Sequence, residues 1–109
     1  MMSSTLLLGG LPATDLSWAG PGRVTFIVAT NITTHRAEFS IHDTAPGAII
    51  ADSTALVKEM DAPPGTPVFV EFPGDGIPFS LTSSGQGRVL RLTPTVASSI
   101  NFHVYGVKT

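Results

Sequence analysis

The spacing of glycine and proline is the feature that most restricts the fold of this chain. The sequence holds 11 glycines and 9 prolines among 109 residues, and they interrupt it at short intervals. Both residues are unfavourable inside a helix. Between them, apolar and polar side chains alternate, and this period of two residues is typical of β-strands. We therefore predict an all-β protein in which less than about a fifth of the residues are helical.

The alternation is clearest in residues 23–30 and 35–42, which are separated by the turn NITT. The inward residues are predicted to be Val24, Phe26 and Val28 in the first strand and Ala37, Phe39 and Ile41 in the second. Further strands are predicted within residues 5–9, 66–72, 77–82, 88–93 and 99–109. About seven to nine short antiparallel strands at roughly 8–12-residue spacing predict a β-sandwich, with the jelly roll as one form of it.

Two segments are harder to interpret. Residues 48–60, AIIADSTALVKEM, fit neither the helical nor the strand period, and we favour two short strands with a loop near Asp52. Residues 11–22 are interpreted as a loop that Trp18 holds in place. The chain is short enough for one domain. We predict an N-terminal arm or edge strand in residues 1–12 and a single β-sandwich domain in residues 13–109.

The predicted core follows from the inward positions of the strands. Its members are Val24, Phe26, Val28, Phe39, Ile41, Val70, Phe79, Leu81, Leu90, Leu92, Phe102 and Val104.

Charge is scarce in this sequence. Only 13% of the residues are charged, and Lys58 and Lys108 are the only lysines, whereas about 25% is usual for soluble domains. Interfaces are poor in Lys, Glu and Asp, so the composition suits a surface covered by neighbouring subunits. An uncharged β domain coated with Ser and Thr is the alternative. The shortage of Lys and Arg argues against nucleic acid as a partner.

Targeting signals are not evident. The N-terminus lacks the basic region and long apolar run of a signal peptide, and no apolar stretch reaches the ~18 residues of a transmembrane helix. We expect a protein that is made without export and has no membrane partner. The absence of cysteine excludes disulfides and thiol chemistry.

The residues that could carry chemistry form no recognisable motif. His35 and His42 are seven positions apart, so in one straight strand they face opposite sides and do not bind one ion. Nothing resembles a nucleophile elbow, and Asp43, Asp52, Asp61 and Asp75 lie in turn-like settings. We predict no catalytic residue, cofactor or metal site, and therefore no enzymatic activity.

The residues that could form a subunit interface are more informative than those that could carry chemistry. The C-terminal strand carries Asn101, His103 and Tyr105 on one face, where a solvated surface would favour Lys or Glu. Such residues combine apolar area with hydrogen-bonding groups, as interfaces do. The complete predicted interface consists of Leu6, Leu7, Leu8, Trp18, Phe69, Arg91, Asn101, His103 and Tyr105.

Residues 22–109 resemble the small β-sandwich structural proteins of tailed phage virions. The resemblance lies in the paired strands VTFIVATNITTHRAEFSIH, the turn and strand APPGTPVFVEF, the turn GDGI and the final motif N-x-x-V-Y-G-V. It implies that residues 100–102 and 105–107 form the closing strand of the sandwich. It also implies assembly rather than catalysis.

The resemblance predicts a capsid decoration or cement protein that bridges and stabilises major capsid subunits, located in the virion after assembly in the host cytoplasm. Its partners would be the major capsid protein or other virion subunits. Closed symmetry also favours further copies of the chain as partners, in a homotrimer or a homodimer, of which we prefer the trimer. A neck, tail or fibre component is one alternative. Another is a module that binds carbohydrate or a host surface through Trp18 and Tyr105, with Asn101 or Asp75 as polar partners.

Overall fold

The computed structural model describes residues 2–10, 13–16, 18–45, 55–82 and 84–108. These residues contain no helix, so nothing in the described part of the chain is a helix that could span a membrane. The strands are β1 (Met2–Leu8), β2 (Thr14–Asp15), β3 (Gly22–Asn31), β4 (Ala37–Thr44), β5 (Ala55–Ala62), β6 (Pro67–Glu71), β7 (Ile77–Phe79), β8 (Val89–Pro94) and β9 (Ile100–Lys108). The all-β prediction is confirmed for these residues.

The strands form two antiparallel sheets. The first sheet has the order β1-β9-β3-β6, with β7 also paired to β3, and the second has the order β2-β8-β4-β5. The pairs β1–β9, β2–β8, β3–β6/β7 and β4–β5 are nested within one another along the chain. Pairing of β3 with β9 and of β4 with β8 then completes each sheet. This arrangement is a jelly-roll sandwich.

The core lies between the two sheets. Phe39 of the second sheet contacts Phe102 of the first edge to face, with ring centroids 5.7 Å apart. Both rings are fully buried. The predicted core residues that are buried are Val24, Phe39, Ile41, Val70, Phe79, Leu90, Leu92, Phe102 and Val104.

A β-bulge in β3 overturns part of the predicted core. The register with β9 shifts between Val24 and Phe26, and the extra residue is Thr25. A bulge places two residues opposite one and so reverses the alternation that follows it. Val24, Ile27 and Ala29 are therefore fully buried. The prediction that Phe26 and Val28 are core residues was wrong, because both lie half-exposed on the other face.

Two other predictions need correction. Leu81 is only half-buried, because it lies beyond the end of β7 in an isolated bridge with Ala19. Thr14 and Asp15, predicted to be in a loop, form β2 against Leu92 and Arg91.

Within the ambiguous segment 48–60, the favoured strand prediction is confirmed for residues 55–60, which belong to β5. The predicted loop near Asp52 lies outside the described residues.

Candidate functional site: the outer face of the first sheet

The candidate site is the outer face of the first sheet, which is the face turned away from the core. We call it the exposed face. The registers align its side chains in three complete rows across the four strands, and Val107, Arg23 and Pro78 continue the face in a fourth row towards β7. The three complete rows are Leu8–Asn101–Thr30–Pro67, Leu6–His103–Val28–Phe69 and Ser4–Tyr105–Phe26–Glu71.

The exposed face is apolar at its margins. Leu6 is 60% exposed, Leu8 is 51% exposed and Phe69 is 65% exposed. Glu71 is the single charged residue in the three rows. Four strands about 4.8 Å apart and three rows about 6.8 Å apart cover about 400 Å². Leu6, Leu8 and Phe69 are large apolar side chains exposed on this one face, and exposed apolar patches of a few hundred Å² often mark interaction surfaces.

Aromatic rings occupy the middle of the exposed face. Phe26 stacks on Tyr105 with ring centroids 4.3 Å apart and an angle of 13° between the ring planes. The Tyr105 ring in turn lies 4.4 Å from the His103 ring. The Tyr105 hydroxyl and His103 Nδ1 share a hydrogen bond of 3.0 Å. These contacts hold three rings in fixed positions before any partner binds, which lowers the entropic cost of association.

The structure brings together six of the nine predicted interface residues. Those on the exposed face are Leu6, Leu8, Phe69, Asn101, His103 and Tyr105. Leu7 points inward and packs against the core. Phe26 and Val28 also belong to the exposed face, and the sequence prediction missed them.

The sequence contains one signal that could have found Phe26 and Val28. In RVTFIVAT, an apolar residue occupies nearly every position from Val24 to Ala29. Such a run supports either orientation of the strand, and it also indicates that both faces carry apolar side chains. The position of the bulge then decides which residues face outward.

Trp18 lies away from the exposed face. Its ring contacts Phe79 edge to face, with centroids 5.5 Å apart. It also packs on Gly106, where a Cβ atom would lie 2.8 Å from Trp18 Cζ3. The indole is half-buried and packs against the core. Trp18 therefore fills one end of the sandwich.

Arg91 lies on the second sheet. The Asp15 carboxylate accepts hydrogen bonds from Arg91 Nε at 2.7 Å and Nη2 at 3.0 Å. Only 8% of the Arg91 side chain is exposed. The hydrogen bond that Arg91 donates to Asp15 is the main cause that raises the pKa of Arg91 above its ordinary value. This bidentate pair joins the short strand β2 to β8.

The histidines are separated in the fold. His35 is exposed in the turn before β4, His42 is buried in β4 and His103 lies on the exposed face. Among the described residues, no group of three His, Asp or Glu side chains is close enough to hold a metal ion.

The comparisons with known proteins give no relative. No family model matches the chain, and no curated protein or solved structure shows significant similarity to it.

Proposed function

We propose that this protein is a structural component of a tailed phage virion, namely a capsid decoration protein whose exposed face binds the capsid shell. In this position it bridges and stabilises major capsid subunits. The observation that carries the proposal is the exposed face itself, with Leu6 and Phe69 at its margins and a single charge in its three rows.

The fold supports this proposal only in part. Jelly rolls occur in viral capsid proteins and also in lectins, so the fold is compatible with both candidate functions. The side chains on the surface therefore have to distinguish shell binding from sugar binding. Shell binding needs a broad apolar face, whereas sugar binding needs an accessible aromatic ring beside polar groups.

The arrangement of the aromatic rings favours shell binding over sugar binding. One face of Tyr105 is covered by Phe26, and the Tyr105 hydroxyl already bonds His103. Trp18 packs against Phe79 and Gly106. Asp75 lies outside the three rows, at an open depression that Arg23 and Val107 also line. These residues do not form the stacking platform that a carbohydrate module would use.

A charge placed on the exposed face tests the proposal. Phe69→Lys should weaken binding to empty shells by about tenfold or more, because a lysine in an apolar interface is desolvated without a partner. Binding is measured by cosedimentation with empty shells assembled from the major capsid protein of the same phage. Phe69 is 65% exposed, so the variant should keep the thermal melting temperature of the wild type.

Leu56→Lys is the matched control. Leu56 is 41% exposed and lies on β5 of the second sheet. Leu56→Lys should leave shell binding unchanged. Equal binding by folded Phe69→Lys and wild type would exclude the exposed face as the attachment surface. Binding of a glycan by the isolated protein, without shell binding, would favour the carbohydrate module instead.

A further inference from the structure

The two sheets formed by the described residues have four edges, and three of them carry features that prevent pairing with another strand. β2 is only two residues long. β5 carries Lys58 and Asp61 and is distorted at Glu59, whose φ is 51°. The β6/β7 edge is interrupted between two strands and contains Pro67 and Pro78, which have no N–H to donate. Charges, bulges, prolines and short strands all block edge-to-edge association.

β1 has none of these features. Its sequence, MSSTLLL, contains no charged residue, proline or glycine. Its register with β9 runs from Met2 to Leu8 without a shift. Among the described residues, no strand pairs with its other side. An exposed, regular and uncharged edge strand of this length is a template for pairing with another chain.

The hydrogen-bond pattern identifies which backbone groups of β1 point outward. Gly9 N–H donates to the Ile100 carbonyl at 2.9 Å, so the backbone N–H of Gly9 points towards β9. The direction of the backbone groups alternates from residue to residue along an antiparallel strand. Thr5 and Leu7 therefore bond to β9, while the N–H and C=O groups of Ser4 and Leu6 point away from it. The Leu8 carbonyl also points away from β9, as the carbonyls of Ser4 and Leu6 do, since it accepts a hydrogen bond from Thr14 Oγ1 at 3.2 Å.

We propose that this edge pairs with β1 of a second copy of the chain, antiparallel about a two-fold axis. The register places Thr5 opposite the Thr5 of the second copy. Ser4 then exchanges both backbone hydrogen bonds with Leu6 of the other chain.

Several features select a second copy as the occupant. Two uncharged strands meet without repulsion, and the outward groups of Ser4 and Leu6 have the parity that this register needs. The contact is isologous and closes at two subunits. The three blocked edges prevent further growth of the sheet.

The dimer joins two first sheets into one continuous sheet. Seven residues span about 23 Å, so the contact by itself is small and reversible. The exposed faces of both copies become contiguous and together cover about 800 Å², which is the area that one partner contributes to a standard interface. The dimer is nevertheless independent of the proposed function, because it forms without shells.

Sedimentation of the purified full chain from about 5 to 500 µM tests the dimer. Wild type should show a monomer–dimer equilibrium. Ser4→Pro should raise the dimer dissociation constant about tenfold or more, because it removes an outward N–H and adds a ring at the edge. The β1–β9 hydrogen bonds do not use this N–H, so the melting temperature should stay close to that of wild type. Ser4→Ala keeps the N–H and should dimerise like wild type.

Cysteine cross-linking gives a second measurement that does not depend on Ser4→Pro folding. The chain has no native cysteine. In the two-fold register the Thr5 Cα atoms lie ~4.5 Å apart, which is within disulfide range. Thr5→Cys should form a disulfide dimer at least about tenfold faster than Val96→Cys, which is in the β8–β9 loop. A wild type that stays monomeric throughout, a trimer that Ser4→Pro leaves intact, or equal cross-linking by both cysteines would overturn the proposal.

Discussion

Among single residues, Asn31 makes the largest local contribution at the turn between β3 and β4. Its side chain is fully buried, and Nδ2 donates to the carbonyls of His35 at 2.7 Å and Ala62 at 2.9 Å. Its Oδ1 accepts from Thr33 N–H at 2.9 Å and Thr33 Oγ1 at 2.7 Å. One amide therefore satisfies polar groups of the β3–β4 turn and of β5.

Asn31→Ala should destabilise the protein by about 2–4 kcal/mol, because it removes the buried amide that bonds the Ala62 carbonyl and the Thr33 N–H. Urea unfolding measures the change in the free energy of unfolding. Thr34→Ala, at an exposed position of the same turn, should change it by no more than about 0.5 kcal/mol. A loss equal to that of the control would show that water replaces the amide.

Among the strands, β3 depends most on one local irregularity. The bulge at Thr25 is fixed on both sides, since Thr25 Oγ1 donates to the Tyr105 carbonyl at 3.1 Å and Phe72 N–H donates to the Thr25 carbonyl at 3.1 Å. It turns Ile27 into the core and Phe26 onto the exposed face. The bulge therefore supplies an aromatic ring to the candidate interface.

The bulge predicts unequal effects of two phenylalanine truncations. Phe102→Ala should cost about 3–5 kcal/mol, because it opens a cavity between the sheets. Phe26→Ala should cost only about 1–2 kcal/mol, since it removes a half-exposed ring and its stacking on Tyr105. Thermal or urea unfolding of both variants measures the difference. Equal losses would mean that Phe26 is in the core and that the strand has no bulge in solution.

Local sequence patterns predicted the strands better than they predicted which residues contact one another across the fold. Phe39 and Ile41, or Leu90 and Leu92, alternate with polar neighbours, so their inward orientation was readable from sequence. The bulge was not readable, because both faces of residues 24–29 are apolar. The candidate interface was predicted where polar aromatic residues occupy β9. Arg91 was misleading, because its partner Asp15 is 76 positions away and no local pattern reveals that ion pair.

For the whole molecule, the proposed attachment is apolar, and this predicts its response to salt. The exposed face carries Glu71 in its three complete rows and Arg23 at its end, and the net charge of the chain is −2. Screening weakens charged contacts and leaves apolar burial largely unchanged. Shell binding should therefore change by less than about twofold between about 50 and 500 mM sodium chloride. Cosedimentation at several salt concentrations measures it, and a decrease of about tenfold would indicate attachment through charged residues.

The nested order of the strands also determines when the first sheet can form during synthesis. β9 lies between β1 and β3, so the first sheet has no centre until its last strand has been synthesised. Leu7 pairs with Phe102, and Gly22 pairs with Lys108, so each residue lacks its cross-strand partner until the C-terminal strand has been synthesised. Such distant contacts slow folding, typically to milliseconds or seconds. During synthesis β1 leaves the ribosome before β9, so its leucines lack their β9 partners until the last strand has emerged.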